Sequence, residues 1–159
     1  MKARVAVPAQ VDDRVVYGLF FYLWHSRWAV MLTSPLLYAC AIPFVLLDAF
    51  ASLYQAVCFP VYGIPKVLRR DHFAYDRVKL RYLNLLERVN CFFCSYANGV
   101  AGYVREIAAR TEQHWCPIRH DRQPKVTHSR YGLFLNYGDR SAYRDRIEQV
   151  RRDFRDLER

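Results

Sequence analysis

From Trp28 to Pro65 the chain runs through thirty-eight residues with a single formally charged side chain, Asp48. A segment of a water-soluble domain returns to the surface every turn or two and brings Lys, Arg, Asp or Glu with it. Within this run Trp28 to Leu47 (WAVMLTSPLLYACAIPFVLL) has no charge at all, and about 20 apolar residues suffice for a helix to cross the hydrocarbon of a bilayer. The run therefore predicts a membrane segment, and two arrangements fit it. In one, a single helix from about Trp28 to Val57 spans the bilayer, bent at Pro35 and Pro43, with Asp48 near the far interface. In the other, the chain turns near Pro43 or Asp48 and returns as a re-entrant hairpin, each arm too short to cross. A buried core helix of a soluble all-helical protein is the ordinary alternative. Upstream, Val15 to Trp24 (VVYGLFFYLW) reads as an interfacial helix, since Tyr and Trp favour the headgroup level.

After Pro65 the pattern changes to short apolar repeats among many charges. Phe73 to Asn98 lacks proline and glycine and predicts a helix whose apolar stripe is Val78, Tyr82, Leu85, Val89, Phe92 and Tyr96, with Glu87, Cys91, Cys94 and Asn98 on the opposite side. Asn98-Gly99 predicts a stop and turn. A second amphipathic helix, Val100 to His114, then completes a helical hairpin that Trp115-Cys116-Pro117 ends. Residues 118–140 read as loop. Ser141 to Arg159 reads as a last helix capped by Ser141, with Ile147, Val150, Phe154 and Leu157 on one face. The expected architecture is mostly α: an amino-terminal membrane helix or re-entrant hairpin followed by a small cytoplasmic helical domain. Residues 1–27 form the interfacial segment, 28–65 the membrane segment and 66–159 the basic domain.

Charge adds orientation. The chain has 24 Lys and Arg against 15 Asp and Glu, a net charge of +9, and the cations flank the apolar run. Anionic phospholipid headgroups are therefore the expected neighbours ahead of nucleic acid, for which no recognition motif is present. Lys66, Arg69, Arg70, Arg77, Lys79 and Arg81 outnumber the upstream cations Lys2, Arg4, Arg14 and Arg27, which favours a cytoplasmic carboxy-terminal side. No short apolar region with a small-residue cleavage site precedes Trp28, so the apolar segment is expected to be retained.

The candidate chemistry is confined to thiols and imidazoles. Cys91-x2-Cys94, twenty-one residues, then Cys116-x3-His120 supplies the ligand types of a tetrahedral metal centre, zinc ahead of iron. The expected hairpin resists this, because it would leave Cys116 about 12 Å along the first helix from Cys91. A shared site needs a break near Gly102, or a loop that folds back with His120 or His128. Alternatively, the Cys91 and Cys94 pairs of a homodimer make a four-thiolate site, or the pair is a redox dithiol activated by Arg88 and Arg105, or the cysteines are packed and inert. Five cysteines do not form a disulfide framework. Glu87, Glu106 and Glu112 lack the Glu-x-x-His spacing of a di-iron bundle, and Glu106 and Glu112 are expected to pair with the nearby Arg105, Arg110 and Arg119. Phosphate-binding glycine loops, HExxH and Ser-His-Asp patterns are absent.

The stretches Asn90-Cys91-Phe92-Phe93-Cys94-Ser95-Tyr96-Ala97-Asn98-Gly99 and Arg110-Thr111-Glu112-Gln113-His114-Trp115-Cys116-Pro117-Ile118-Arg119-His120 resemble an uncharacterised family of small bacterial membrane-associated proteins. The resemblance extends back through Phe59-Pro60-Val61-Tyr62-Gly63-Ile64-Pro65 and covers most of Leu32 to His120. It implies a bacterial inner-membrane location and transfers no catalytic residue. The sequence as a whole points to a non-catalytic membrane accessory or assembly protein with a structural Cys/His metal site. Its rivals are a thiol-based redox or metal-transfer protein using Cys91 and Cys94, and a membrane-recruited module for an acidic partner.

Overall fold

The computed structural model describes residues 28–157; the expected interfacial helix Val15–Trp24 lies outside the described residues. Four α-helices account for most of what is described: α1 (Trp28–Ala39), α2 (Ala41–Tyr62), α3 (Leu85–Trp115) and α4 (Arg140–Arg152). Among the described residues the only β-type contact is an isolated bridge between Ile118 and Leu135.

Helices α1 and α2 are one rod with a break at Cys40. Pro43 has no N–H to give to the turn before it, and the ladder adjusts locally: the Cys40 N–H is shared between the Leu36 and Leu37 carbonyls at 3.3 and 3.2 Å. The chain does not reverse at Pro43 or at Asp48, so the observed form is the single bent helix and not the re-entrant hairpin. The rod from Leu32 to Tyr62 is 31 residues long with a mean hydropathy of 2.0, and only 6% of its apolar window is buried. It is long and apolar enough to cross a membrane. At Gly63 (φ 67°) the helix ends in a Schellman arrangement, with the Ile64 N–H on the Phe59 carbonyl at 2.9 Å and the Gly63 N–H on the Pro60 carbonyl at 3.4 Å.

Residues 64–84 then return along the rod as extended chain and short 3-10 turns at Arg69–Asp71 and Asp76–Lys79. Helix α3 starts only at Asn84, whose side chain accepts the Glu87 N–H (2.9 Å) while the Glu87 carboxylate accepts the Asn84 N–H (2.8 Å), a complete capping box. From there α3 runs unbroken for 31 residues. The expected turn at Asn98-Gly99 and the helical hairpin are therefore absent. Gly99 serves another purpose: a Cβ there would lie 2.6 Å from the Phe73 ring, so glycine lets the returning segment press against the helix backbone.

Helix α3 lies parallel to the rod. Tyr38 bonds Asn90, Asp48 bonds Tyr96, Gln55 bonds Tyr103, and Tyr62 stacks on His114. Twenty-five residues of the rod, from Tyr38 to Tyr62, thus accompany twenty-five residues of α3, from Asn90 to His114, over about 36 Å. The principal core gathers Phe59, Ile64, Val67, Tyr103, Ile107 and Phe154, so the carboxy-terminal end of α2 belongs to the same core as the basic domain. A smaller cluster of Leu135, Ile147 and Val150 seats α4. Helix α4 is shorter than expected and is capped by Asp139, which accepts the Ala142 N–H at 2.9 Å, rather than by Ser141.

Candidate functional site

The continuity of α3 decides the fate of the cysteines. Cys91, half-buried, and Cys94, exposed, lie one turn apart near its start, while Cys116, exposed, caps its end. Twenty-five helical residues separate Cys91 from Cys116, about 37 Å, whereas ligands of one zinc come within about 4 Å of each other. His120 sits beyond Pro117, stacked on Tyr131 (centroids 6.0 Å apart, 9° between planes), its backbone N–H donating to the Tyr131 hydroxyl at 2.8 Å. The expected intrachain site of Cys91, Cys94, Cys116 and His120, for zinc or for iron, is thus divided between the two ends of the molecule. Among the described residues no group of three or more His, Cys, Asp or Glu is placed to hold a metal ion. The physical reason is that Gly99 and Gly102 accommodate the close approach of Phe73 and His72 within a helix instead of breaking it.

What the fold does bring together is a polar seam between the rod, the returning segment and α3. Asp48, the lone charge of the apolar run, faces inward: its carboxylate is bidentate to Arg69 (Nη2 to Oδ2 2.9 Å, with Nη1 on Oδ1), accepts the Tyr96 hydroxyl at 3.0 Å and accepts Ser52 Oγ at 3.3 Å. The Asp48 side chain is 13% exposed against 45% for Arg69. Arg69 also lies 4.4 Å over the Phe73 ring and 5.2 Å from the centroid of Tyr103. One turn further along, buried Gln55 donates to the Tyr103 hydroxyl (2.9 Å) and accepts the Val67 N–H (2.7 Å). The seam neutralises each polar group of the rod against a neighbour, and leaves the outward faces apolar. A lone Asp in an uncharged run announces that a partner is needed; only the fold of residues 64–84 shows that Arg69 is that partner.

A second polar cluster lies at the far end. His128 Nε2 lies 3.0 Å from a Glu112 carboxylate oxygen, and Glu112, His120, His128, Tyr131 and Arg105 line a cavity of about 240 Å³. Glu106 pairs with Arg110 at 2.9 Å, as expected, but Glu112 takes His128 rather than an arginine. Beneath it Arg130, 3% exposed, bonds Gln113, both Asp156 carboxylate oxygens at 3.1 Å and the Asp153 carbonyl at 3.3 Å, with the Phe154 ring 5.0 Å away. The hydrogen-bonded guanidinium holds the Asp156 carboxyl below the usual carboxylate range. Burial, and then the charge of Arg151, push His114 below the ordinary imidazole range, so that it sits neutral against Tyr62. These groups fasten the carboxy-terminal segment to α3.

Compared with known proteins, the chain matches no family model, no curated protein and no solved structure. Its chemistry is thus read from geometry: two reachable thiols one turn apart on α3, a neutralised seam, and an outer apolar surface. Leu32, Leu36, Ile42, Phe50, Leu53 and Val61 are each more than 60% exposed. The stripe expected to pack, Leu85, Val89 and Phe92, is exposed as well (72, 46 and 52%). Of that stripe Tyr96 does meet the rod, through Asp48, and Asn90 and Phe93 from outside the stripe meet it too.

Proposed function

We propose that the chain is a non-catalytic accessory or assembly protein of the bacterial inner membrane, held there by the rod Leu32–Tyr62, with its basic domain on the cytoplasmic side available to an acidic partner. The observation that carries this reading is the combination of high hydropathy and exposure in the rod: mean hydropathy 2.0 with 6% of the window buried. A core helix is apolar because it is covered, and this one is not. At about 25 cal/mol per Å² of apolar surface, leaving such a face in water is costly, and lipid removes the cost. The cation excess of Lys66–Arg81 supports the cytoplasmic orientation, and the resemblance to small bacterial membrane-associated proteins supports the compartment.

The test is fractionation of cells producing the full chain, beside a variant carrying Leu46→Asp and Phe50→Asp on the outward face. The full chain is expected in the membrane fraction after an alkaline wash, and the variant in the soluble fraction. A wild-type chain that stays soluble overturns the reading.

One observation favours a second role for the thiols. Cys91 and Cys94 are accessible and paired, not grouped with other ligands, which fits two-thiol chemistry better than a structural zinc within one chain. If that role exists, mild oxidation links Cys91 to Cys94 reversibly, as peptide mass spectrometry would record; thiols that remain separate count against it.

A further inference from the structure

Resting on the membrane reading above, we infer that the rod lies in the plane of the bilayer, in one leaflet with anionic phospholipid headgroups, instead of spanning it. The parallel register carries the inference. Because Tyr38 meets Asn90 and Tyr62 meets His114, α3 accompanies the rod along nearly its whole apolar length. The amino-terminal end of α3, with Glu87 and Arg88, stands beside the first turns of Leu32–Tyr62.

The returning segment is threaded over the same stretch. Arg69 is fixed to Asp48, Phe73 to Gly99 and Tyr75 to Phe92, so the exposed side chains of Arg70, Arg77, Lys79 and Arg81 flank the middle and first part of the rod. A rod set across the bilayer would carry all of these charges into hydrocarbon with it, where charged side chains are strongly disfavoured.

Laid flat, the same arrangement suits the exposed groups along the rod and the returning segment. The outward apolar face of the rod enters the acyl boundary. The cations of the returning segment reach the headgroups, with the half-exposed rings of Tyr75 and Tyr82 at the same level. The occupant of the apolar face is a lipid leaflet and not a second protein because, among the described residues, the returning segment beside it exposes Arg70, Arg77, Lys79 and Arg81 against Asp71 and Asp76, the complement of an anionic surface.

The experiment is polarised infrared dichroism of the purified full chain on oriented bilayers, with and without phosphatidylglycerol in phosphatidylcholine. Since the rod and α3 are parallel, their amide bands add. The expected result is helix dichroism typical of axes in the membrane plane. Axes along the membrane normal would overturn the in-plane inference while leaving the membrane reading intact, and no association with either bilayer would overturn both. The charge argument is read separately with a variant carrying Arg77→Gln, Lys79→Gln and Arg81→Gln. Its affinity for phosphatidylglycerol vesicles is expected to fall at least about tenfold with little change on phosphatidylcholine alone; unchanged affinity would remove anionic lipid as the occupant.

Discussion

Asp48 and Gly99 show how much of this molecule hangs on single side chains. Asp48 is the one charge in a run that has every reason to exclude it, and it is tolerated because Arg69, Tyr96 and Ser52 surround it. Hydrogen bonds to charged groups are worth about 1.5–3 kcal/mol each when shielded, and less where, as at Arg69, one partner is partly in water. Replacing Asp48 by Ala leaves Arg69 and Tyr96 without their acceptor and is expected to lower stability by about 1–2 kcal/mol. Arg69→Met is expected to do the same, and the double variant to cost less than the sum of the two singles, because each single change strands the other partner. Thermal melts in detergent measure all three. At Gly99 the signs compete: Ala is favoured over Gly inside a helix by about 1 kcal/mol, but its Cβ would sit 2.6 Å from the Phe73 ring. Overpacking of that kind costs about 1–3 kcal/mol. Gly99→Ala is therefore expected to destabilise and Phe73→Leu to relieve it, whereas Gly132→Ala, with nothing within 4 Å of its Cβ, is expected to change little.

At the scale of elements, the sequence announced some boundaries and concealed others. The stop at Cys116-Pro117 that ends α3 was legible, as were Ile147 and Val150 on the buried face of the last helix; the caps were not, since Asn84 opens α3 and Asp139, not Ser141, opens α4. Asn98-Gly99 carries the same local signal as a turn, yet the chain continues as helix there because a ring from a distant segment occupies the space that a side chain would need. That long-range contact has no signature in the local pattern, and it is the reason Cys91 ends about 37 Å along α3 from Cys116 instead of beside it. The parallel course of α3 was hidden for a related cause: residues 73–84, expected as the beginning of a helix, belong instead to a return of extended chain and short 3-10 turns. The carboxy-terminal elements have their own test. Asp156 is held below its ordinary pKa by Arg130, so the contact contributes stability above the unfolded carboxylate pKa near 3.8 and loses it as pH falls through the lower folded value. Amide exchange in Arg155–Leu157 and in α4 is expected to quicken below about pH 4, and Arg130→Ala, which leaves buried Gln113 and Asp156 without their donor, to produce the same loosening at neutral pH. Exchange that stays flat through acid would mean that the pair is not what holds the segment.

The whole molecule divides by solvent and not by position along the chain. The outward faces of α1 and α2 are apolar and exposed, while the returning segment, α3 and α4 carry the charge. The polar seam of Asp48, Arg69, Tyr96, Gln55 and Tyr103 lies between them and fastens the apolar rod to the basic domain, so the rod is packed along its inward side, from Tyr38 through Asp48 and Gln55 to Phe59, and bare on its outward side. That the rod is long and apolar enough to cross a membrane was legible in the composition of residues 28–65 alone; that it is flanked by charge along its length was not, because the register of two parallel helices is set by side chains about fifty residues apart. The claim that this outward surface is lipid-covered is tested most directly by photolabelling the full chain in vesicles with a lipid-soluble carbene precursor and mapping the labelled residues. Label concentrated on Leu36, Ile42, Leu46, Phe50 and Leu53 and sparse on Phe59, Tyr103 and Ile107 is the predicted result. Label absent from the rod, or distributed without regard to which face is exposed, would contradict the account.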